Sequence, residues 1–268
     1  MKGNTTIKDD IKKQYAKIAL SDNPESCCMP GECGCGGTSA GSLTTSAAQV
    51  AETTGYDGRD LQSIPKESIL GVGCRAPLNF ADIKEGETVV DLGSGAGIDI
   101  FLSANWIGAE GRVIGIDMTD EMLEKARRNA KVHGYSNVEF RKGDIEKKIP
   151  VNDGTADLVI SNCVINLTID KVSTFREAYR ILKYGGRMVI SDLVTDEEVV
   201  PSSVSAEKWC SCIDGALTKK HYLDNIRKAG FQNVEVLSET LYMDGGEQVD
   251  GRKITSIVIK AVKTQKKE

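Results

Sequence analysis

The pattern of apolar and polar positions along this chain changes period repeatedly, and each change predicts a new element. Residues 88–92 and 112–117 are short runs rich in β-branched side chains, which is typical of buried parallel strands. Apolar residues at helical spacing follow them, for example between Met122 and Ala130. Strands that alternate with helices from residue 88 onward predict an α/β fold with a mostly parallel sheet.

The remaining elements follow from the same patterns. Further strands are expected over residues 138–140, 157–161 and 188–190, and helices over residues 6–18, 170–183 and 218–229. Two β-rich runs, 233–242 and 253–262, close the chain, and the second alternates as an antiparallel edge strand does. Gly185 and Gly186 are expected to end the helix before them, and residues 263–268 are expected to form a disordered tail.

A glycine-rich turn after the first strand indicates the cofactor. Asp91 is followed by Gly93, Gly95 and Gly97, and Ile98 stands where a dinucleotide-binding fingerprint has its third glycine. A carboxylate at the end of the strand repels a pyrophosphate but attracts an amino group or a sulfonium cation. The pattern therefore favours S-adenosylmethionine over NAD.

Later acidic positions extend that prediction. Asp117 ends the second strand, where an acidic residue accepts hydrogen bonds from ribose hydroxyls. The run from Gly143 to Glu146 follows the third strand and is placed to frame the adenine. We therefore expect four regions: an N-terminal helix and cysteine-rich loop (1–60), a Rossmann-like S-adenosylmethionine-binding domain (61–194), a C-terminal region that completes the sheet (195–262) and the tail (263–268).

Composition excludes several classes of function. The net charge of −5 argues against non-specific binding of nucleic acid. No apolar run reaches membrane-spanning length and the N-terminus lacks a signal-peptide core, so we expect a cytoplasmic protein with no membrane partner. Eight cysteines without a secretion signal point to thiol chemistry or metal binding rather than to structural disulfides.

Three cysteines lie beside predicted turns on the cofactor side of the sheet: Cys74, Cys163 and Cys212. A free cysteine is often only a small buried hydrophobic side chain. Both histidines, His133 and His221, are expected at the surface, and this shortage of general bases favours a substrate whose lone pair needs no deprotonation. Trivalent arsenic is a soft thiophile that fits three thiolates and retains its lone pair.

At this point the chain resembles the arsenite S-adenosylmethionine methyltransferases. Residues 89–146, the run 161–167 and the sequences around Cys74 and Cys212 carry the resemblance, which extends over about residues 7–230. It implies a class I methyltransferase fold, which is Rossmann-like, with seven mostly parallel strands and helices on both faces. It also implies that the region 195–262 takes part in arsenic binding.

The resemblance further implies a role for each motif residue. Arsenite would bind Cys74, Cys163 and Cys212, and the methyl group would pass directly from S-adenosylmethionine to arsenic. Cofactor contacts are expected from Asp91, Gly93, Ser94, Gly95, Gly97, Asp99, Asp117, Met118, Asp144, Ile145, Glu146 and Asn162. Family members re-reduce arsenic with electrons from cysteines, so Cys27 and Cys28 are expected relay thiols, with thioredoxin or glutathione as the reductant. We expect a monomer that binds arsenite and methylated arsenicals.

The sequence departs from the family at its extra cysteines. Ser211 replaces the acidic residue that is common before the third cysteine, and Cys210 is an additional thiol, so either Cys210 or Cys212 can be the third ligand. Cys33 and Cys35 are further candidate ligands in a loop that is richer in cysteine than the family requires. A zinc or iron–sulfur site in that loop is therefore an alternative.

Two other functions stay open at this stage. A C-methyltransferase for a small molecule, such as a quinone precursor, shares this core but needs an aromatic-lined apolar pocket, and only 5% of the residues are aromatic. A non-enzymatic protein that binds metalloids or senses redox state would keep the cysteines without turnover. Binding of S-adenosylmethionine and the effect of replacing Cys163 distinguish these hypotheses.

Overall fold

The structure is a computed structural model that describes residues 4–21, 46–199, 204, 206–242 and 251–265. The helices are α1 (Asn4–Leu20), α2 (Ala47–Thr53), α3 (Gly58–Gln62), α4 (Ile98–Ile107), α5 (Asp120–Val132), α6 (Lys171–Ile181), α7 (Ala206–Cys210) and α8 (Lys219–Lys228). The strands are β1 (Thr88–Leu92), β2 (Arg112–Asp117), β3 (Val138–Lys142), β4 (Ala156–Asn162), β5 (Leu182–Thr195), β6 (Leu217–Thr218), β7 (Gln232–Leu241) and β8 (Ile254–Val262). Short 3₁₀ turns occupy Lys66–Ser68, Pro77–Phe80 and Ile165–Leu167.

The strands form one sheet in the order β3-β2-β1-β4-β5-β8-β7. Strands β1 to β5 are mutually parallel, whereas β8 is antiparallel to both β5 and β7. The two-residue strand β6 pairs with β5 and makes an eighth strand. This order confirms the predicted seven-stranded class I fold, and the strand order reverses between β1 and β4, where α/β sheets bind their ligands.

Helices cover both faces of the sheet, which explains why the central strands are continuously apolar. On β1, Val90 and Leu92 pack in a cluster with Phe175 of α6 and Tyr222 of α8. Val89, which precedes Val90 and points to the other face, packs in the opposite cluster, which contains α4 and one side of α5. The alternation of β1 side chains thus divides the core into two layers.

Three boundary predictions are wrong. Strand β8 lies between β5 and β7, so the edge strand is β7, and β8 is buried along most of its length. Gly185 and Gly186 lie inside β5 rather than at the end of a helix, because their backbone pairs with Lys263, whose carbonyl accepts from the Gly185 amide at 2.7 Å. The predicted tail does not begin at residue 263, since the Lys263 side chain is buried and donates to the Leu182 carbonyl at 2.7 Å.

The N-terminal helix is longer than predicted and packs on the domain. Helix α1 begins at Asn4 and ends at Leu20, and its Ile11 and Ile18 are buried. Both histidines are exposed, as predicted. Among the helices that the structure describes, we find none whose length and apolar character would let it cross a membrane.

Candidate active site

A cleft of about 870 Å³ opens at the carboxyl ends of the central strands. This is the edge at which α/β sheets bind their ligands. Eight residues predicted to contact the cofactor line it: Gly93, Gly95, Asp117, Met118, Asp144, Ile145, Glu146 and Asn162. The other four predicted contacts, Asp91, Ser94, Gly97 and Asp99, do not line the cleft.

The glycine turn lets backbone approach the cleft closely. Gly93 has a φ of +77°, and a Cβ added there would lie 2.5 Å from both Cγ atoms of Val164. Only glycine fits that position without moving the turn after β4. The Ser94 Oγ in the same turn is buried, and none of the described residues forms a hydrogen bond with it.

Three carboxyl groups, the buried Asp91 and Asp99 and the half-buried Asp117, lie in or beside the cleft. Burial raises the pKa of Asp91 well above its usual range, and the nearby Asp99 and Asp117 carboxylates raise it further. Burial also raises the pKa of Asp99 to about 6. No lysine or arginine in the described part of the chain forms an ion pair with them. A ligand with a sulfonium and an ammonium group supplies the missing positive charge, so these residues fit S-adenosylmethionine.

Asp117 is held for hydrogen bonding. Its two carboxylate oxygens accept from the backbone amides of Gly95 at 2.9 Å and Thr119 at 2.8 Å. Burial raises its pKa, and these hydrogen bonds oppose the rise. Each oxygen keeps a second lone pair for a ribose hydroxyl, consistent with the role predicted from its place at the end of β2.

Helix α1 contributes a residue that sequence analysis missed. Lys8 donates to Asp144 at 2.8 Å and also forms an ion pair with Glu146. Ile11 and Tyr15 on the same helix line the cleft as well. Helix α1 therefore covers the end of the cleft where the adenine is expected, and no motif near Lys8 indicated this.

A hydrogen-bond chain connects the cofactor side to the first cysteine. The Tyr56 hydroxyl donates to Asp99 at 2.9 Å and accepts from the Asn162 side-chain amide at 2.8 Å. Asn162 Oδ1 in turn accepts from the Cys74 backbone amide at 3.1 Å. Sequence analysis missed Tyr56, which lies before helix α3 and far ahead of strand β1 in the sequence. Asp99 thus anchors this chain and does not itself line the cleft, so it would act on a bound cation through its charge rather than by direct contact.

The structure brings Cys74, Cys163 and Cys212 together in one buried cluster, as predicted. Cys74 Sγ lies 3.3 Å from Ser191 Oγ, and the Ser191 carbonyl accepts from the Cys163 amide at 2.8 Å. The Cys212 thiol donates to the Cys163 carbonyl at 2.8 Å. Cys163 and Cys212 also line the cleft, so the thiol cluster and the cofactor site adjoin.

The cysteine cluster has an unusual backbone geometry and shifted thiol pKa values. Cys163 and Cys212 have φ values of +58° and +66°, a left-handed conformation that few non-glycine residues adopt and that concentrates at active sites. Hydrogen bonds with Cys212 and Cys74, together with burial, raise the pKa of Cys163 well above its usual range. The hydrogen bond with Cys163 lowers the pKa of Cys212, but burial and the charges of Asp192 and Cys74 together raise it by more, so the net shift is upward. A thiophilic ligand would displace the thiol protons and bind the thiolates of this buried cluster.

Two further charged residues that the sequence did not single out lie beside the thiols. The Asp192 carboxylate is fully buried, and burial raises its pKa to about 6. Burial lowers the pKa of Lys171 to about 8, while the Asp192 carboxylate opposes that shift. Lys171 donates to the Thr168 carbonyl at 2.9 Å.

The segment that carries Cys212 is anchored by Arg252, just before β8, and by close packing at Gly215. The buried Asp214 carboxylate accepts from Arg252 at 3.0 Å, and a Cβ at Gly215 would lie 1.8 Å from the Asn166 carbonyl oxygen. Cys210 is half-buried at the end of α7. The remaining candidates, Cys27, Cys28, Cys33 and Cys35, lie outside the described residues, so the relay and the alternative metal site in that loop stay predictions.

Comparison with known proteins agrees with this geometry. A family model described as a methyltransferase domain matches residues 83–230. The arsenite methyltransferase of Halobacterium salinarum is 40% identical over 234 residues, which cover 84% of this chain and 57% of that protein. The arsenite methyltransferase of Homo sapiens is 40% identical over 153 residues, 53% of this chain and 40% of that one. This chain thus matches about half the length of these relatives.

A solved structure extends the comparison to the fold. The crystal structure of an arsenic(III) S-adenosylmethionine methyltransferase from Chlamydomonas reinhardtii superposes with a TM-score of 0.65 at 31% identity. The match covers 83% of this chain and 75% of that chain. The chain therefore belongs to the arsenite S-adenosylmethionine methyltransferase family, within the class I methyltransferase superfamily.

Proposed function

We propose that this chain transfers the methyl group of S-adenosylmethionine to trivalent arsenic bound by Cys74, Cys163 and Cys212. The observation that carries the proposal is the convergence of three buried thiols, from three separate segments, in one cluster, two of which line the cofactor cleft. The family membership and the arsenite methyltransferases among the relatives support the same conclusion.

On the cofactor side, each residue has a separate task. Bound S-adenosylmethionine supplies a methyl group made electrophilic by the adjoining sulfonium. Asp117 would accept hydrogen bonds from the ribose, and Asp91 and Asp99 would offset the positive charge of the methionine end. Met118 would contact the ribose beside Asp117. Asp144 and Ile145 would hold the adenine, while Lys8 fixes Asp144 and closes α1 over it.

On the substrate side, the thiols bind arsenite by condensation. Each of the three thiols replaces one hydroxyl of arsenous acid, and each thiol proton leaves with that hydroxyl as water. The three As–S bonds leave the arsenic lone pair free to form the As–C bond, so no general base is needed. This agrees with a cleft lining in which we find no histidine among the described residues.

Re-reduction of arsenic requires a thiol relay. Forming the As–C bond raises arsenic formally from the trivalent to the pentavalent state. Two cysteine thiolates then give up two electrons as they join in a disulfide, and arsenic returns to the trivalent state. We propose that Cys27 and Cys28 take part in this exchange and that thioredoxin or glutathione reduces the final disulfide. Such chemistry requires a reducing compartment, so we expect the cytoplasm.

Methyl transfer from isotopically labelled S-adenosylmethionine to arsenite tests the proposal. Thioredoxin and its reductase are supplied, and the arsenic products are separated and identified. Labelled methylarsenicals support the proposed function. Binding of cofactor and arsenite with no methylated product overturns it and favours a metalloid-binding protein. The C-methyltransferase alternative has little support, because Tyr15 is the single aromatic residue among the described residues that line the cleft.

A further inference from the structure

The thiol cluster contains a fourth donor that arsenite does not require. One carboxylate oxygen of Asp192 and the sulfur atoms of Cys74 and Cys163 all lie within 4.8 Å of one another, and all three residues are buried. Strand β5 creates this arrangement, because Ser191 contacts both cysteines and Asp192 follows it directly. Cys212 is not in this close set, since its thiol points to the Cys163 carbonyl.

The Asp192 carboxylate is held in place as metal-binding carboxylates usually are. It accepts from the backbone amides of Asn166 at 3.0 Å and Leu193 at 2.9 Å, and from the Tyr222 hydroxyl at 2.9 Å. Hydrogen bonds of this kind orient a carboxylate toward a metal ion and are worth about 10–100-fold in metal affinity. The cost of burying this carboxylate beside two thiols is offset when a cation lies between them.

The donor set favours a class of ligand other than arsenite. Trivalent arsenic is soft, takes three thiolates and fills its fourth position with a lone pair, so a hard carboxylate oxygen adds little to its binding. Zn²⁺ and Cd²⁺ instead take four donors in a tetrahedron and accept sulfur and carboxylate oxygen together. Rotation of the Cys212 thiol away from the Cys163 carbonyl would complete such a tetrahedron.

We propose that Cys74, Cys163, Asp192 and Cys212 form a site for a divalent thiophilic cation of the zinc and cadmium class. Binding releases the thiol protons to solvent. Because the cation uses the same thiols as the proposed arsenite site, the two ligands exclude each other. Arsenite methylation would then be inhibited competitively by such cations. The cation site can be tested by binding alone, without methyl transfer.

The experiment is ¹¹³Cd NMR with the reduced full-length chain and Cd²⁺ as the only added metal. All samples carry Cys27→Ser, Cys28→Ser, Cys33→Ser and Cys35→Ser, so that the N-terminal loop binds no cadmium. The chemical shift reports how many sulfur and oxygen atoms coordinate the ion. Affinity for Cd²⁺ is measured by competition with a chromophoric chelator, and affinity for arsenite is measured in parallel on the same samples.

We expect a shift typical of three sulfur donors and one oxygen donor. Asp192→Asn should weaken Cd²⁺ binding by at least about tenfold and move the shift, as loss of an orienting or coordinating group does. Tyr222→Phe, which removes one hydrogen bond to Asp192 but no donor, should have a smaller effect. Retained arsenite binding by Asp192→Asn would show that the thiols stay in place.

Two outcomes would overturn the proposal. One is unchanged Cd²⁺ affinity and chemical shift in an Asp192→Asn variant that still binds arsenite. If that variant does not fold, the shift measured with Asp192 intact decides, and coordination without oxygen overturns the proposal. Failure of arsenite methylation would refute the proposed function but would not change the outcome of the Cd²⁺-binding test.

Discussion

The cofactor cleft and the thiol cluster share one edge of the sheet but are assembled differently. The glycine turn and the ribose-binding end of the cleft come from one continuous stretch, Thr88 to Asp117, in which strand, glycine turn and helix fix each other's geometry. The thiol cluster instead joins loops before β1, after β4 and after α7, and two of its three cysteines have left-handed backbones. The centre of the cleft is thus a local motif, whereas the cluster depends on the whole fold.

This difference has an electrostatic counterpart. The cleft is surrounded by buried carboxylates that suit a cation, and the cluster contains buried thiols that suit a thiophile. Asn162 joins the two regions, because its side chain bonds both the Tyr56 hydroxyl and the Cys74 amide. Apart from Asn162, the two regions use different groups for different ligands. Substitutions in one region should therefore affect its own ligand far more than the other ligand.

The largest expected effect separates Cys212 from Cys210. Cys212→Ser removes one As–S bond and should lower arsenite methylation by at least about 100-fold, the scale typical of losing a catalytic group. The substitution should leave cofactor affinity unchanged. Cys210→Ser should retain activity, since Cys210 is half-buried and lies outside the buried trio. Arsenic speciation and equilibrium dialysis with S-adenosylmethionine measure the two properties. The opposite pattern would make Cys210 the third ligand.

Gly93→Ala tests the close approach of backbone in the cleft. The positive φ costs about 1–2 kcal/mol for alanine, and the contact with Val164 adds about 1–3 kcal/mol of overpacking. Gly86→Ala is the matched control, because Gly86 has a φ of +78° with no atom within 4 Å of an added Cβ. Thermal unfolding should show a larger loss of stability for Gly93→Ala, together with weaker cofactor binding. Equal losses would mean that Val164 moves aside without cost.

Asp99 should make cofactor affinity depend on pH. Its pKa in the folded protein is raised to about 6, so the carboxylate is ionised above that pH and protonated below it. Since the cationic cofactor binds best to the ionised form, affinity should fall by up to about tenfold per pH unit as the pH drops below about 6. Isothermal titration calorimetry from about pH 5 to about pH 8 measures the cofactor affinity on both sides of that pKa.

The Asp99→Asn variant is the control for that profile. It should bind the cofactor more weakly at neutral pH and show a flatter profile. Tyr56→Phe removes the hydroxyl that donates to Asp99 and keeps the carboxylate, so its profile should remain but shift to higher pH. A slope of wild-type size in Asp99→Asn would assign the titration to another group, such as Asp91.

Lys8→Gln should give the smallest effect. Its ion pairs with Asp144 and Glu146 are partly exposed, so their loss is worth about 1 kcal/mol, or roughly fivefold in cofactor affinity. Lys12→Gln on the exposed side of the same helix should change nothing. Stopped-flow dissociation of the cofactor should be faster for Lys8→Gln, because α1 is then less firmly held over the cleft. Identical rates for both variants would contradict a covering role for α1.

Sequence could predict the cleft because its determinants are neighbours. The glycines, Asp91 and Asp117 lie within a single strand–helix–strand unit, where spacing alone indicates function. Lys8 and Tyr56 could not be predicted, since each reaches the site from an element whose docking depends on long-range packing. The alternation of apolar and polar residues in β8 suggested an edge strand. Strand β8 instead pairs with β5 on one side and with β7 on the other, so β7 is the edge strand.

The thiol cluster was predictable only in part. Three cysteines beside turns indicated a shared site, and the family resemblance identified its members. Asp192 gave no signal, because an acidic residue after the apolar run 188–190 is indistinguishable from an exposed strand end. Lys171 likewise has the pattern of a surface residue at a helix start, yet it is buried.

X-ray absorption at the arsenic K-edge, on the arsenite-loaded reduced protein, tests the central claim most directly. The account predicts a first shell of three sulfur atoms and no oxygen, and a shell of two sulfur atoms with one oxygen in Cys212→Ser. An oxygen in the shell of the unsubstituted protein, or a shell that Cys212→Ser leaves unchanged, would contradict it.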